Sequence, residues 1–425
     1  MLENLKMEPW KKVCIYVSVY AILRECRPID PFYIEYVTSL SEKYTDQVIR
    51  EEIYPVCSYI SVFLVIIIFL VTDFLRYKPI IVLNGLAGIV YYGLLLTSPT
   101  IATLKTSQVF QALFRAAEIA FYTYMFANIK QKDQYQIATS RLRTSIMIGK
   151  CCCGILAQVL ISWNFVSYIH LLYLSLLGMF LTTVWSLLMP SAKFSIYFYK
   201  EKEPIINYIL VDNNQIVETK ILYLINGNLD KTSKQKVFVR MNLFEVIQKL
   251  WVDFKVAYSD PSVIKWSMWW SLSLCGYVLA AQYIQLLWKE INKNENNHLM
   301  NGAVESLATL LSAAVTYAIG MVNGDWDKYG EIIMAIVAVE LGVMLSFVGI
   351  AESLTQSAEL AKCLKRDCYA LVFGFNKFIA FIMISIFTVV FVENIFFSFD
   401  IRQQGCSNSI VITDWFVGEK KINVD

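Results

Sequence analysis

The chain has few charged residues: only 17% of its 425 residues are Asp, Glu, Lys or Arg, whereas 57% are hydrophobic. Soluble domains carry about 25% charged and about 45–50% apolar residues. The apolar excess lies in blocks of about 20 residues, the length that crosses about 30 Å of hydrocarbon. The composition therefore excludes an ordinary soluble protein and predicts an all-α polytopic membrane protein in a lipid bilayer.

Other scarcities argue against an enzyme or a metalloprotein. Histidine occurs only at His170 and His298, which excludes a histidine-rich metal site. The ten cysteines show no zinc-type spacing, and no glycine-rich phosphate loop occurs. The N-terminal stretch lacks a cleavable signal pattern, so the first helix is expected to direct insertion. We expect no enzymatic activity, no cofactor, no metal and no nucleic-acid partner; the sequence leaves the oligomeric state open.

The apolar blocks predict about ten spans in two groups. Residues 1–189 form an N-terminal half of six helices, with spans at 13–37 (interrupted), 56–71, 80–97, around 108–122, 144–163 and 168–189. Residues 190–262 form a central loop with an amphipathic surface helix expected at 237–258. Residues 263–393 form an incomplete C-terminal half, with spans at 263–288, 300–322, 330–350 and 369–392, and 394–425 form a polar tail.

Lysine and arginine cluster at the N-terminus, at residues 76–78, at 130–143 and in the central loop. Because Lys and Arg mark the cytoplasmic side, we expect the N-terminus and the central loop to be cytosolic. Two helical halves joined by a long cytosolic loop are typical of transporters in which the halves rock about a midplane site.

The fourth span carries a polar stripe, whose members Gln108, Gln111, Arg115, Glu118 and Tyr122 follow helical steps of three and four. A central charge facing lipid costs at least about 2.5–3.5 kcal/mol, so this face is expected to line a watery cavity for a small polar solute. The alternative for Arg115 and Glu118 is an intrahelical ion pair. Both interpretations hold if the pair opens when solute binds.

The span at 300–322 carries a second stripe, comprising Asn301, Glu305, Thr309, Ser312 and Thr316. A lone buried carboxylate at Glu305 needs a proton, a partner helix or a cationic ligand, unless it lies in water at the helix end. Tyr277 belongs either to an interfacial aromatic belt or to a binding surface. Lys150 either snorkels, pairs with Glu118 or binds an anion.

The first span contains Asp30 between Pro28 and Pro31, and this break is expected to line the cavity or to lie in a surface loop.

Asp30, Glu118, Tyr122, Tyr277, Asn301 and Glu305 lie in phrases that resemble the reduced folate carrier and thiamine transporter family, of major facilitator fold. The phrases occur in family order: RPIDPF (27–32), EIYPV (52–56), TDFLRYKP (72–79), AAEIAFYTY (116–124), WSMWWSLSLCGY (266–277), NGAVE (301–305) and YALVFGFNKFIA (369–380). The resemblance implies a vitamin transporter of the plasma membrane that works by alternating access. It also implies that Asp30 and Glu305 belong to the substrate site.

Within that family, the AAE and NGAVE forms resemble the thiamine-type branch. Thiamine is a cation, and Asp30, Glu118 and Glu305 suit it, so thiamine is favoured over reduced folate. The chain departs from that branch at Gln108 and Gln111, at Cys57 and at the added bases Arg115 and Lys150.

Family members have twelve helices, and this sequence shows no clear tenth or twelfth span. We expect loss of the tenth to invert the direction of the span after it. The alternative function is therefore a degenerate or non-transporting paralogue that acts as a solute sensor or is inactive.

Overall fold

The computed structural model describes residues 8–97, 99–129, 133–192, 198–201, 223–225, 228–230, 238–240, 242–292, 300–322 and 369–389. The helices are α1 (Pro9–Arg24), α2 (Tyr33–Leu40), α3 (Asp46–Val48), α4 (Tyr54–Phe74), α5 (Lys78–Leu96), α6 (Ile101–Ala117), α7 (Ile119–Ala127), α8 (Asp133–Ser162), α9 (Tyr168–Leu188), α10 (Leu243–Ala257), α11 (Pro261–Asn292), α12 (Asn301–Met321) and α13 (Tyr369–Phe387). A 3-10 turn (Asp30–Phe32) precedes α2, and a π turn (Ile49–Ile53) precedes α4.

In the described part of the chain, four short strands lie between α9 and α10. They are β1 (Tyr199–Glu201), β2 (Tyr223–Ile225), β3 (Asn228–Asp230) and β4 (Phe238–Arg240). β1 pairs antiparallel with β4, and β2 pairs antiparallel with β3.

Five helical segments of the described chain are long and apolar enough to cross a membrane: Asp46–Phe74, Lys78–Leu96, Gln134–Ser162, Tyr168–Leu188 and Asn301–Met321. The total of about ten spans stays a prediction. The expected span at 330–350, the missing tenth and twelfth spans and the tail at 394–425 lie outside the described residues.

The first span is broken. α1 ends at Arg24, and a proline at the start of the 3-10 turn begins the next helical segment. Proline lacks a backbone N–H and cannot continue the preceding hydrogen-bond ladder. The predicted fourth span is also two helices, because α6 ends at Ala117 and α7 begins at Ile119. The intervening Glu118 keeps helical dihedral angles (φ −55°, ψ −33°), so this break is local.

Two element boundaries predicted from hydropathy are wrong. α8 begins at Asp133 rather than at residue 144, so Arg141 and Arg143 lie on a helix and not in a turn. Hydropathy falls at those charges, but the helix continues, since Arg143 projects into a cavity and Arg141 is exposed. α10 begins at Leu243 rather than at 237, because β4 comes first and a capping box at Asn242 begins the helix.

α8 and α12 pack antiparallel along their length. Near one end a Cβ placed on Gly302 would lie 2.8 Å from the carbonyl oxygen of Gly154, so only glycine permits this approach. Near the other end the hydroxyl of Ser140 donates to the carbonyl oxygen of Thr316 at 2.7 Å. This pairing joins the half before the strands to the half after them.

α13 packs antiparallel to α4, with Gly374 against Phe69 and the Ser385 hydroxyl 3.4 Å from the carbonyl oxygen of Ser58. We call the two ends of the bundle the α4–α5 end and the α5–α6 end, after the turns found there. Because α12 is antiparallel to α8, and α13 is antiparallel to α4, α12 ends and α13 begins at the α4–α5 end. The direction of α13 is therefore the same as that of α11, and the inversion expected from the sequence does not occur.

Candidate substrate-binding cavity

A cavity of about 340 Å³ lies between the two halves. Its walls come from the first broken span and from α4, α5, α6, α7, α8, α11, α12 and α13. Its size is within the range of about 300–1,000 Å³ that small-molecule sites occupy. Nine of the ten predicted site residues line it: Asp30, Gln108, Gln111, Arg115, Glu118, Tyr122, Lys150, Tyr277 and Glu305.

Asn301 is the predicted site residue that does not line the cavity. It is 3% exposed, and its side-chain amide donates to the carbonyl oxygen of Pro31 and to Glu35 Oε1, each at 3.2 Å. Other members of the same stripe, Thr309 and Thr316, are buried where α12 packs on α8. The second stripe is therefore mainly a contact between helices.

Asp30 belongs to a chain of charges in the broken first span. Glu25 accepts from Arg24 at 2.5 Å and forms a closer ion pair with Arg27. Arg27 also lies 2.9 Å from Asp30, whose other oxygen accepts from the Tyr92 hydroxyl at 2.6 Å. The Asp30 carboxylate lines the cavity, but it is already neutralised by Arg27.

Arg24 is fixed by a buried amide on α5. The Asn84 side-chain oxygen accepts from Arg24 Nε at 3.3 Å and from the Tyr20 hydroxyl at 2.8 Å. The Asn84 nitrogen donates to the carbonyl oxygen of Phe114 at 2.6 Å, and the guanidinium of Arg24 lies 4.3 Å from the Phe114 ring centroid. Asn84 is fully buried and thus orients a charged wall of the cavity.

Glu118 pairs across the two halves and not within its own helix. Its carboxylate lies 3.1 Å from Lys377 Nζ on α13 and 3.9 Å from Arg24. Lys377 also donates to the backbone carbonyl of Arg115 at 2.8 Å. The intrahelical pair of Arg115 with Glu118 is therefore not formed. Sequence reasoning missed Lys377, although a lysine inside an apolar span is a functional-site candidate by default.

Two further predicted residues hold contacts between helices. Lys150 donates to the Tyr277 hydroxyl at 3.3 Å, which joins α8 to α11; of the three alternatives left open for Lys150, the pair with Glu118 is not formed. Gln108 donates to the Tyr33 hydroxyl at 3.2 Å.

A stacked pair occupies the cavity wall between α7 and α8. The guanidinium of Arg143, a residue that sequence reasoning placed in a turn, lies 5.2 Å from the Tyr122 ring centroid. The Tyr122 hydroxyl is buried and has no hydrogen-bond partner among the described residues.

Glu305 differs from the other acids of the cavity. Its carboxylate is partly buried and forms no hydrogen bond or ion pair with any other residue that the structure describes. Lys150 is the base that attracts it most strongly. Because Glu305 lines the cavity, the alternative of a helix-end residue in open water is not what the structure shows.

The ionisable lining carries a net positive charge. Among the described residues it comprises six bases (Arg24, Arg27, Arg115, Arg143, Lys150 and Lys377) and four acids (Glu25, Asp30, Glu118 and Glu305), hence a charge of +2 when these ten side chains are ionised. Three of the acids are paired with bases. In the described part of the chain, Arg115, Arg143 and Lys150 therefore face one unpaired acid, Glu305. No group of three or more His, Cys, Asp or Glu side chains that could hold a metal ion occurs among the residues that the structure describes.

Solved structures of membrane transporters share this architecture. The human organic anion transporter MFSD10 superposes with a TM-score of 0.60 at 11% identity, over 97% of this chain and 99% of its own. The nucleoside transporter NupG gives a TM-score of 0.53 at 9% identity, over 96% of each chain. The fold is that of the major facilitator transporters.

The sequence profile described as "Reduced folate carrier" matches residues 8–357 and 353–407, so the chain belongs to the reduced folate carrier family. Thiamine transporter 1 of Mus musculus is 28% identical over 91% of this chain and 84% of its own length. Folate transporter 1 of Caenorhabditis elegans is 28% identical over 93% and 88%. The reduced folate transporter of Homo sapiens is 26% identical over 91% and 67%. The chain is thus a member of a family of vitamin transporters for thiamine and folate.

Proposed function

We propose that the chain carries a vitamin across the plasma membrane by alternating access, with the charged cavity as its substrate site. The cavity is built by helices of both halves, as a site that faces each side in turn requires. The distribution of lysine and arginine supports a cytosolic α4–α5 end and an extracellular α5–α6 end. In this orientation the N-terminus and the central loop are cytosolic.

The preferred substrate in this proposal is an anionic vitamin of the reduced folate type. The observation that carries it is the charge left over in the cavity: Arg115, Arg143 and Lys150 against Glu305. A dicarboxylate needs bases that the protein has not already neutralised, and an arginine–carboxylate pair supplies charge-assisted hydrogen bonds. Glu305 suits the amino group and ring N–H of a pterin. This preference for reduced folate over thiamine is the reverse of that predicted from the sequence, because Asp30 and Glu118 are paired with bases.

Thiamine is the second candidate. Glu305 supports it, since an unpaired carboxylate in a partly buried cavity attracts a cation or an aminopyrimidine edge. Similarity to known transporters does not separate the two substrates, because thiamine and folate transporters are equally distant at 28% identity.

Uptake of labelled reduced folate and labelled thiamine, in cells that express the chain and its variants, tests the proposal. Arg115→Gln is expected to reduce folate uptake at least about tenfold, since a hydrogen bond to a charged group contributes about 1.5–3 kcal/mol. Lys105→Gln is the matched control, because Lys105 is 39% exposed and pairs outside the cavity with Glu52. Thiamine uptake that falls with Glu305→Gln, with no folate uptake in any variant, would favour the second candidate.

A non-transporting sensor or decayed copy is not favoured by the similarity to transporters, but the same cells test it. Surface labelling and uptake are measured on one sample. Surface expression with saturable binding and no flux of either vitamin would contradict the carrier.

A further inference from the structure

Contacts between the two halves cross one end of the cavity, beside the lining residues Asp30 and Gln285. The segment from the 3-10 turn to α3 meets the end of α11 and the start of α12. We call this set the closing contacts: Gln285 Nε2 donates to the Asp30 carbonyl at 2.7 Å, Lys289 Nζ lies 2.7 Å from Asp46 and 3.2 Å from the Thr38 hydroxyl, and Asn301 donates to Pro31 and Glu35 at 3.2 Å. They lie at the α5–α6 end, and any opening of the cavity toward that end has to break them.

Glu35 is the unusual member of the closing contacts. It is 7% exposed, and its Oε2 has no hydrogen-bond partner among the described residues. Its other oxygen accepts from the neutral amide of Asn301. Sequence reasoning did not select this glutamate.

Among the residues that the structure describes, the charged and titratable groups that face Glu35 do not neutralise it. Lys289 on α11 attracts the carboxylate, and Asp46 on α3 repels it. Lys289 already forms a 2.7 Å ion pair with Asp46, so its charge is largely taken up. Tyr168 on α9 and Asn301 on α12 are uncharged neighbours.

An ionised carboxylate in this position would be buried without a paired cation. Such burial is strongly unfavourable even after relaxation of the surroundings. A protonated Glu35 avoids that cost. When the closing contacts separate, water reaches the carboxyl group and the ionised form becomes favourable again.

We propose that Glu35 binds a proton when the α5–α6 end closes and releases it when that end opens. In the closed form Glu35 is a neutral carboxylic acid that accepts from Asn301. On opening, its O–H bond breaks, the carboxylate keeps the electron pair, and the proton passes to water on the extracellular side. No oxidant or further reactant is needed. The proposal rests on the alternating-access function proposed above and adds a linkage between extracellular pH and gating.

The linkage is measurable without transport of any substrate. Ser273 lines the cavity on α11 and is changed to cysteine in a chain whose reactive native cysteines are serine. A membrane-impermeant maleimide is added outside intact cells, over external pH values from the ordinary range of a carboxyl group to above neutrality. Because the thiolate is the reactive form and its fraction rises with pH, every labelling rate is divided by the rate at which the same maleimide reacts with a fully exposed cysteine at the same pH. This relative labelling rate is expected to rise with pH by up to about tenfold per pH unit, the limit for one proton.

Glu35→Gln imitates the protonated acid, so its labelling is expected to be slow and independent of pH. Glu52→Gln is the matched control, because Glu52 lies near the same end but is 47% exposed and paired with Lys105; it should keep the full pH slope. A Glu35→Gln variant with the unchanged slope would overturn the proposal. If Glu35→Gln does not reach the cell surface, Glu35→Asp is used instead. Glu35→Asp is expected to keep a pH-dependent labelling rate with a shifted midpoint. A curve with an unshifted midpoint would equally overturn the proposal.

Failure of this proposal is distinct from failure of the carrier. Labelling of the cavity cysteine at a rate that does not change with pH would remove the proton linkage and leave alternating access intact. Absence of labelling at every pH, although the protein is at the surface, would contradict alternating access itself.

Discussion

Removal of Lys377 is expected to destabilise the bundle, because it leaves Glu118 without its cross-half partner. The two side chains lie 3.1 Å apart and are 10% and 26% exposed. Breaking a buried pair by removing one partner costs about 3–5 kcal/mol. Since Glu118 retains some contact with the cavity, we expect the lower end, about 3 kcal/mol, for Lys377→Met. At roughly 2 °C for each kcal/mol, the apparent melting temperature should fall by about 6 °C.

The assay is thermal unfolding of the purified full chain in detergent, with the remaining folded protein measured by size-exclusion chromatography. Lys105→Met is the control: its ion pair with Glu52 is shorter, at 2.8 Å, but both side chains are more than one third exposed, so the loss should be below about 1 kcal/mol. The double variant Glu118→Gln with Lys377→Met should regain most of the lost stability, since no uncompensated charge is left. Equal losses for Lys377→Met and Lys105→Met would refute the assignment of a buried pair.

Three further predictions concern packing, the buried amide and gating. Gly178→Ala should abolish the peak of folded protein in size-exclusion chromatography, because the added methyl group would overlap the backbone carbonyl of Cys26. Gly93→Ala is the control: its methyl group meets nothing within 4 Å, so this variant should stabilise α5 by about 0.8–1.0 kcal/mol. Asn84→Leu removes three hydrogen bonds and leaves buried partners unsatisfied, so thermal unfolding should show a loss of about 2–3 kcal/mol. Lys289→Met breaks the closing contacts and should speed maleimide labelling of the cavity from outside; unchanged labelling would contradict their role.

The class of protein and most of the helices could be predicted from sequence, since long apolar runs and a polar face on a helix are local properties. The stripe at Gln108 and Arg115 indicated a cavity for this reason, and those residues do line one. The partners could not be predicted in this way. Glu118 pairs with Lys377, 259 positions away, and only the packing of α13 against the first half brings them together.

Burial of polar residues also escaped sequence reasoning. Asn301 lies on the predicted face of α12, but the close approach of glycines in α8 and α12 turns much of that face into a helix contact. The charges of α8 lower the hydropathy at its start, so hydropathy alone predicts a loop where the first turns of the helix lie. Glu35 gave no signal because one glutamate near a span end is ordinary until its surroundings are known.

We propose that unpaired bases in a cavity shared by both halves bind an anionic vitamin. Counterflow in proteoliposomes containing the purified full chain tests it most directly: vesicles preloaded with reduced folate are given a trace of labelled reduced folate or labelled thiamine outside. We predict transient, saturable accumulation of labelled folate that is lost in Arg115→Gln and kept in Lys105→Gln. Accumulation that survives Arg115→Gln unchanged, or no accumulation of either vitamin, would contradict the account.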